Sequence, residues 1–323
     1  MTRDGVTRDA GAREGQTLVG GSLLVRYLNF VKLPHTVFAL PFALVGATLA
    51  SYGAPVAWSS VGWIVLAFTA ARFAAMGFNR IVDREIDARN PRTAARELPQ
   101  GALTIRQAAA AVGAAGLLFI WCAFQLNPLC GWLSPVALGW VLAYSFTKRF
   151  TRWSHLVLGF SLSIAPVGGY LAVAGQWSDP WWMLLVLAVA VAAWVAGFDV
   201  LYSLQDRTFD LSHGLHSIPV AFGAEHAVRI SQLLHVVTVL ALTLVGWATG
   251  GGSLYAIGVA VAASLLLYEH SLVSPHDLRR LDAAFFTMNG VISIAFFAFV
   301  LAERLVRHWD QVGGMGPGVV VFP

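Results

Sequence analysis

Residues 181–210 read WWMLLVLAVAVAAWVAGFDVLYSLQDRTFD. The apolar run over 181–203 is long enough to cross about 30 Å of hydrocarbon as a helix. It is apolar on every face, which suits a membrane or a fully buried helix and not a half-solvated one. One carboxylate, Asp199, lies inside the run. An ionisable group at that depth is costly and is a functional candidate by default. Asp199, Tyr202, Asp206 and Asp210 recur at i, i+3, i+7 and i+11, so a continuous helix would carry all four on one face.

The rest of the chain repeats the apolar theme. Of 323 residues, 57% are hydrophobic and 12% charged, and the mean hydropathy is +0.68. A soluble domain carries about 25% charged residues, so this composition cannot cover a soluble surface of that size. A DNA-binding module, a secreted disulfide scaffold and an ordinary cytosolic enzyme are excluded. Apolar spans at about 34–52, 60–79, 107–126, 129–147, 154–174, 181–203, 229–249, 252–269 and 282–303 predict an all-α polytopic membrane protein of about nine transmembrane helices. Residues 1–20 mix Arg, Asp, Gly and Thr, lack the apolar core of a signal peptide, and read as a disordered tail. The membrane domain is expected over 21–305 and a C-terminal tail over 306–323. Cys122 and Cys130, in or beside apolar spans, read as unpaired thiols.

Charge placement sets a topology. The first, third, fifth and seventh connectors contain no Lys or Arg. Of the 21 Lys and Arg residues, all but Arg72, Arg304 and Arg307 fall on the opposite side, with the N-terminus. The positive-inside rule makes that side cytoplasmic. The net charge of +4 is then a topology signal and not a nucleic-acid footprint.

A second carboxylate series closes the second span. Asn79, Asp83 and Asp87 recur at i, i+4, i+8, again one helix face. Like charges at that spacing repel, and a divalent cation turns the repulsion into a site. Hard oxygen ligands favour Mg²⁺ or Ca²⁺ over zinc; the bland alternative is a solvated helix end whose carboxylates pair with Arg80 and Arg84. Asp83 and Asp206 are 123 residues apart, as are Asp87 and Asp210, a weak echo between two halves. Two such faces at one membrane surface suit Mg²⁺ holding a diphosphate. Lys148 and Arg149 close span four just after Tyr144, and Arg96 lies in the loop Thr93-Ala94-Ala95-Arg96-Glu97-Leu98-Pro99-Gln100-Gly101. These are candidate diphosphate contacts. Arg72, seven residues before Asn79, shares its face at greater depth. A buried Arg wants an anion, here a substrate carboxylate or Asp199. His35, Glu269, His270 and Asn289 are weaker candidates, each more readily read as a packing, interfacial or helix–helix polar residue.

The chain resembles the UbiA-type intramembrane prenyltransferases from about residue 25 to 303. The resemblance rests on Asn79-x-x-x-Asp83-x-x-x-Asp87, on Tyr144-x-x-x-Lys148-Arg149, and on Asp199-x-x-Tyr202-x-x-x-Asp206-x-x-x-Asp210. Gly214-Leu215-His216-Ser217-Ile218-Pro219 adds to it. It implies one helical bundle around a prenyl/diphosphate cavity, a Mg²⁺ cofactor, a polyprenyl diphosphate donor and an aromatic acceptor. It also implies Asn79, Asp83, Asp87, Asp206 and Asp210 as metal ligands, with Lys148, Arg149, Arg96 and Tyr144 at the diphosphate. Asp199, Tyr202 and Arg72 are then expected to act on the acceptor. Two positions depart from many quinone-pathway members: Arg80 stands for an Asp, and His216 for a Lys. The chain looks most like bacterial 4-hydroxybenzoate-polyprenyltransferase-like members, some of which take 1,4-dihydroxy-6-naphthoate. A bacterial inner-membrane enzyme of ubiquinone or menaquinone synthesis is therefore expected.

Competing readings are an ion-coupled transporter, a membrane scaffold, and a family member with another acceptor such as haem. Transporters keep binding charges near the midplane on broken helices, whereas most carboxylates here end the spans. A scaffold leaves the paired series unexplained. Haem O synthases share a similar first motif but lack this second series.

Overall fold

The computed structural model describes residues 22–32, 39–275, 277–278, 280–281 and 287–313. The expected tail over 1–20, residues 314–323 of the tail expected over 306–323, His35 and the first parts of the first and ninth spans lie outside these residues. In chain order the helices are α1 (Leu23–Phe30), α2 (Leu40–Ala50), α3 (Trp58–Val82), α4 (Arg84–Arg89), α5 (Ile105–Leu126), α6 (Pro128–Thr147), α7 (Ser154–Ala174), α8 (Met183–Tyr202), α9 (Arg207–Ser212), α10 (Ile218–Phe222), α11 (Ala224–Ala248), α12 (Ser253–Leu272) and α13 (Asn289–Gly313). Eight helices among the described residues are long and apolar enough to cross a membrane. The first expected span is seen as the eleven residues of α2. α13 continues past residue 305, where the membrane domain was expected to end.

Local chemistry sets the boundaries. The Thr104 side chain accepts from the Gln107 N–H while the Gln107 side chain returns to the Thr104 N–H, a capping box that starts α5. Asn127 caps α6 and Pro128 follows at its first position. α7 ends on Gly175 at φ +65°, a left-handed conformation that glycine adopts without strain.

The bundle is built around α8. Its span is 72% buried against at most 39% for any other. Leu184, Leu187, Val191, Trp194, Val195 and Phe198 pack there against Phe42, Val45, Leu242 and Phe296. Lipid-facing helices carry exposed Leu117, Trp121, Trp132 and Val136 instead. Small residues let backbones meet. A Cβ at Gly169 would collide with the Ala43 carbonyl, and one at Gly46 with the Pro166 carbonyl, so α2 and α7 approach through paired glycines. Gly169→Val should therefore leave little folded, monodisperse protein; a thermal midpoint within a few degrees of the parent would contradict this crossing.

The end of the bundle away from the aspartate series explains two of the charge exceptions. Arg304 donates through Nε to Ser51 Oγ (2.8 Å) and through Nη2 to Ser51 O (3.0 Å), beside the carbonyl end of α2. Glu303 accepts from the Gly252, Leu254 and Tyr255 N–H groups that open α12, and Arg307 pairs with Glu303. These residues tie helices together.

Both carboxylate series depart from the continuous helix the spacing suggested. Asp83 caps α3 at φ −91°, ψ 4°, and Asp87 belongs to α4. The Asp83 and Asp87 N–H groups still reach the carbonyls four residues back, at 2.8 Å each, so the helical register carries through the break. After Tyr202 a 3₁₀ turn over Ser203–Asp206 leads into α9. The tighter turn shifts Asp206 and Asp210 off the line of Asp199. Glu269, read as interfacial, is 1% exposed and accepts from Asn289 Nδ2 at 3.5 Å.

Candidate active site

The two series meet at one end of the bundle, and every motif aspartate there has a cationic partner. Arg149 Nη2 lies 2.8 Å from Asp83 Oδ1 and also donates to the Val82 carbonyl, while its Nη1 donates to Ser145 O. Asn79 Nδ2 donates to Asp83 Oδ2 at 3.0 Å. Arg96 Nη1 contacts both oxygens of Asp87 at 2.9 Å. Lys148 Nζ is 2.9 Å from Asp210 Oδ1. Arg92 grips Asp206 with two bonds, Nε to Oδ1 at 3.0 Å and Nη2 to Oδ2 at 2.7 Å. Asn90 Nδ2 adds a third bond to Asp206, at 3.1 Å. Burial raises the Asp83 carboxyl above its ordinary range, with Arg149 pulling the other way.

Arg92 was read from sequence as a topology charge only. It sits four residues before Arg96 in the same loop, and that spacing was the available signal. Its Nη1 also donates to the Tyr202 hydroxyl at 3.3 Å, and its guanidinium lies 5.5 Å from that ring's centroid. The loop after the first series therefore reaches across to the second. Arg80, the departure from the common pattern, is 4% exposed and pairs with Glu97 at 2.7 Å. It fastens α3 to the loop that presents Arg92 and Arg96. His216 is exposed, and its N–H donates to the Lys148 carbonyl at 2.9 Å.

Asp199 lies deeper. Its partner is His155, at the start of α7: Nδ1 to Oδ2 is 2.6 Å. His155 escaped the sequence reading, although a histidine opening an apolar span six residues after Arg149 was a signal. Tyr144, near the end of α6, lies within electrostatic reach of both Asp83 and Asp199. Arg72 is in α3, about 10 Å along the helix from Asn79 at 1.5 Å per residue.

Among the described residues no three Asp, Glu, His or Cys side chains stand close enough to hold one ion. The geometry is instead a mosaic of alternating charge, open enough at Lys148 and Arg149 to admit a ligand: their side chains are 38% and 33% exposed.

Known proteins share this arrangement of helices. The UbiA prenyltransferase family pattern matches residues 39–312. The chain is 32% identical over 253 residues to a 4-hydroxybenzoate octaprenyltransferase of Aeromonas hydrophila subsp. hydrophila, covering 78% of this chain and 86% of that protein. The apo structure of a UbiA homolog from Aeropyrum pernix K1 matches with a TM-score of 0.76 at 33% identity, over 84% of this chain and 98% of that one. A UbiA homolog from Archaeoglobus fulgidus bound to GPP and Mg²⁺ shares the fold at 20% identity and a TM-score of 0.66, over 87% and 99% of the two chains. An all-helical membrane bundle, two aspartate series at one end and a match over most of its length together mean that this chain belongs to the UbiA prenyltransferase family and is an integral membrane prenyltransferase.

Proposed function

We propose that the enzyme transfers a polyprenyl group from a polyprenyl diphosphate to an aromatic hydroxy acid, 4-hydroxybenzoate or 1,4-dihydroxy-6-naphthoate, on the route to ubiquinone or menaquinone. Its site faces the cytoplasm of a bacterial inner membrane. The observation that carries this reading is the mosaic of four aspartates, each against its own Lys or Arg. A magnesium diphosphate has the opposite pattern, with cation toward the carboxylates and anion toward the basic side chains.

The residues suit Mg²⁺. Asp210 is fully buried, and its Oδ2 has no hydrogen-bond partner among the described residues, a costly state that a cation relieves. Asp83 and Asp87, with Asn79 beside them, would hold one ion; Asp206 and Asp210 would hold another. With no three acidic side chains converging, each ion would rest on one or two carboxylates and draw its other ligands from phosphate and water, as Mg²⁺ commonly does. Bound Mg²⁺ supplies Lewis-acid stabilisation of the charge that builds on the leaving diphosphate.

The chain's own groups do the rest. Lys148, Arg149, Arg96 and Arg92 turn from the carboxylates to the diphosphate oxygens, where guanidinium forks bind two at a time. The bond between the allylic carbon and the diphosphate oxygen breaks, and an electron-rich ring carbon of the acceptor forms the new bond. Asp199 takes the acceptor's phenolic proton, which makes the ring more nucleophilic, and returns it to that oxygen as the attacked ring carbon loses its own hydrogen as a proton to the released diphosphate or water, restoring the aromatic ring. Tyr202 and Tyr144 line that pocket, and Arg72 receives the acceptor carboxylate. Apolar walls keep water from the allylic cation.

Purified protein should release diphosphate from donor plus acceptor only when Mg²⁺ is present, and chelation with EDTA should abolish release. An ion-coupled transporter would release none. Arg149→Lys keeps charge but loses the fork; it should raise the donor KM or lower kcat about tenfold. If it is silent while Asp83→Ala is inactive, the Lys148–Arg149 pair is only a topology signal.

A further inference from the structure

The side chain of His155 is 4% exposed and bridges two parts of the site that are far apart in sequence. Its Nδ1 meets Asp199 Oδ2 at 2.6 Å, and its Nε2 accepts the Ile218 N–H at 3.4 Å. Ile218 opens α10, so that N–H is one of the donors a helix start leaves without an internal partner. A ring nitrogen that accepts a hydrogen bond carries no proton. The proton therefore sits on Nδ1 and is donated to Asp199. This holds the aspartate as an acceptor through one oxygen. Its other oxygen has no hydrogen bond among the described residues, and the side chain is 19% exposed.

The loop behind the imidazole is itself anchored. The Leu215 N–H donates to Asp210 O, the His216 N–H to Lys148 O, and Arg207 Nε to Pro219 O. Ser217 Oγ caps α10 through the Val220 N–H. The ring is thus fixed on one side by the loop that follows the second aspartate series, and on the other by the deepest aspartate of that series.

We propose that His155 is the positioning residue for Asp199. It fixes the carboxylate rotamer, keeps the carboxylate ready to accept a proton on its free oxygen, and ties that orientation to the loop over 214–219. The proposal rests on Asp199 being the group that takes the acceptor proton.

The test compares variants of the full-length protein in kcat, in KM for the aromatic acid, in Mg²⁺-dependent binding of the polyprenyl diphosphate and in thermal stability. Asn places an amide nitrogen near the position of Nδ1, whereas Gln reaches only toward Nε2. His155→Ala should lower kcat about thirtyfold with donor affinity within about twofold of the parent, a part of the roughly 10²–10⁴-fold that a positioned acid–base group supplies. His155→Asn should recover most of the loss, and His155→Gln should not. Combined with Asp199→Asn, His155→Ala should cost nothing further, since both remove the same step. A loss additive with Asp199→Asn overturns the proposal. So does equal recovery by Asn and Gln, or a fall in donor affinity that tracks kcat. Unfolding of both the Ala and the Asn variants would assign the ring to packing and also overturn it. If Asp199→Asn alone is fully active, the failure lies with the assignment of Asp199 and not with its link to His155.

Discussion

Asp206→Ala should lower kcat by about three orders of magnitude, because about 4 kcal/mol of charge stabilisation at the leaving group goes with it. Asp206 is where the two halves of the site join: Arg92 binds it at both oxygens and Asn90 adds a third bond. Its loss removes a proposed Mg²⁺ ligand and also frees the loop that presents Arg92 and Arg96. Asp83→Ala should be comparably severe, since Arg149 and Asn79 both converge on Asp83. Initial rates at saturating Mg²⁺, measured beside the thermal midpoint of each variant, separate lost chemistry from lost fold. Near-parent turnover in either variant would remove that aspartate from the reaction.

The second large effect concerns the acceptor. Asp199→Asn should lower kcat about a hundredfold while leaving donor binding intact, because a neutral amide cannot take the phenolic proton. Arg72→Ala should act on a different constant, raising the acceptor KM about tenfold through loss of a charge-assisted hydrogen bond. The residue order alone left two anions open for Arg72, a substrate carboxylate or Asp199. The partner seen at Asp199 is the His155 imidazole, 2.6 Å away. If Asp199→Asn, Arg72→Ala and their combination destabilise the protein equally and leave the acceptor KM unchanged, the two residues serve the bundle and not the acceptor.

What could be read from the chain follows from which forces act locally. The apolar spans were legible because hydrocarbon demands length and composition and little else: the fifth, 154–174, coincides with α7. The two aspartate series were legible because charge at the end of a membrane helix is conspicuous. The eight residues of α1 were not, being too short for a span; they are placed by Phe30 and Val31 packing against Leu103 and Ala108. The breaks at Asp83 and over Ser203–Asp206 were not legible either, since spacing reports a face only where the helix is continuous. Arg92 and His155 were missed for a third reason. Their partners, Asp206 and Asp199, lie 114 and 44 residues away, and only the packing of helix ends against loops joins them. Arg80 shows the converse: a conspicuous departure beside the first series is occupied with Glu97.

The central claim is that this site joins a polyprenyl group to an aromatic hydroxy acid. The most direct measurement gives purified protein Mg²⁺, a polyprenyl diphosphate, and 4-hydroxybenzoate or 1,4-dihydroxy-6-naphthoate in turn, with products identified by mass spectrometry and diphosphate counted. One of the two acids should carry one prenyl group, with one diphosphate released per product and about a thousandfold less product formed by Asp206→Ala. Diphosphate release that yields only free prenyl alcohol, or no release with either acid, would contradict it.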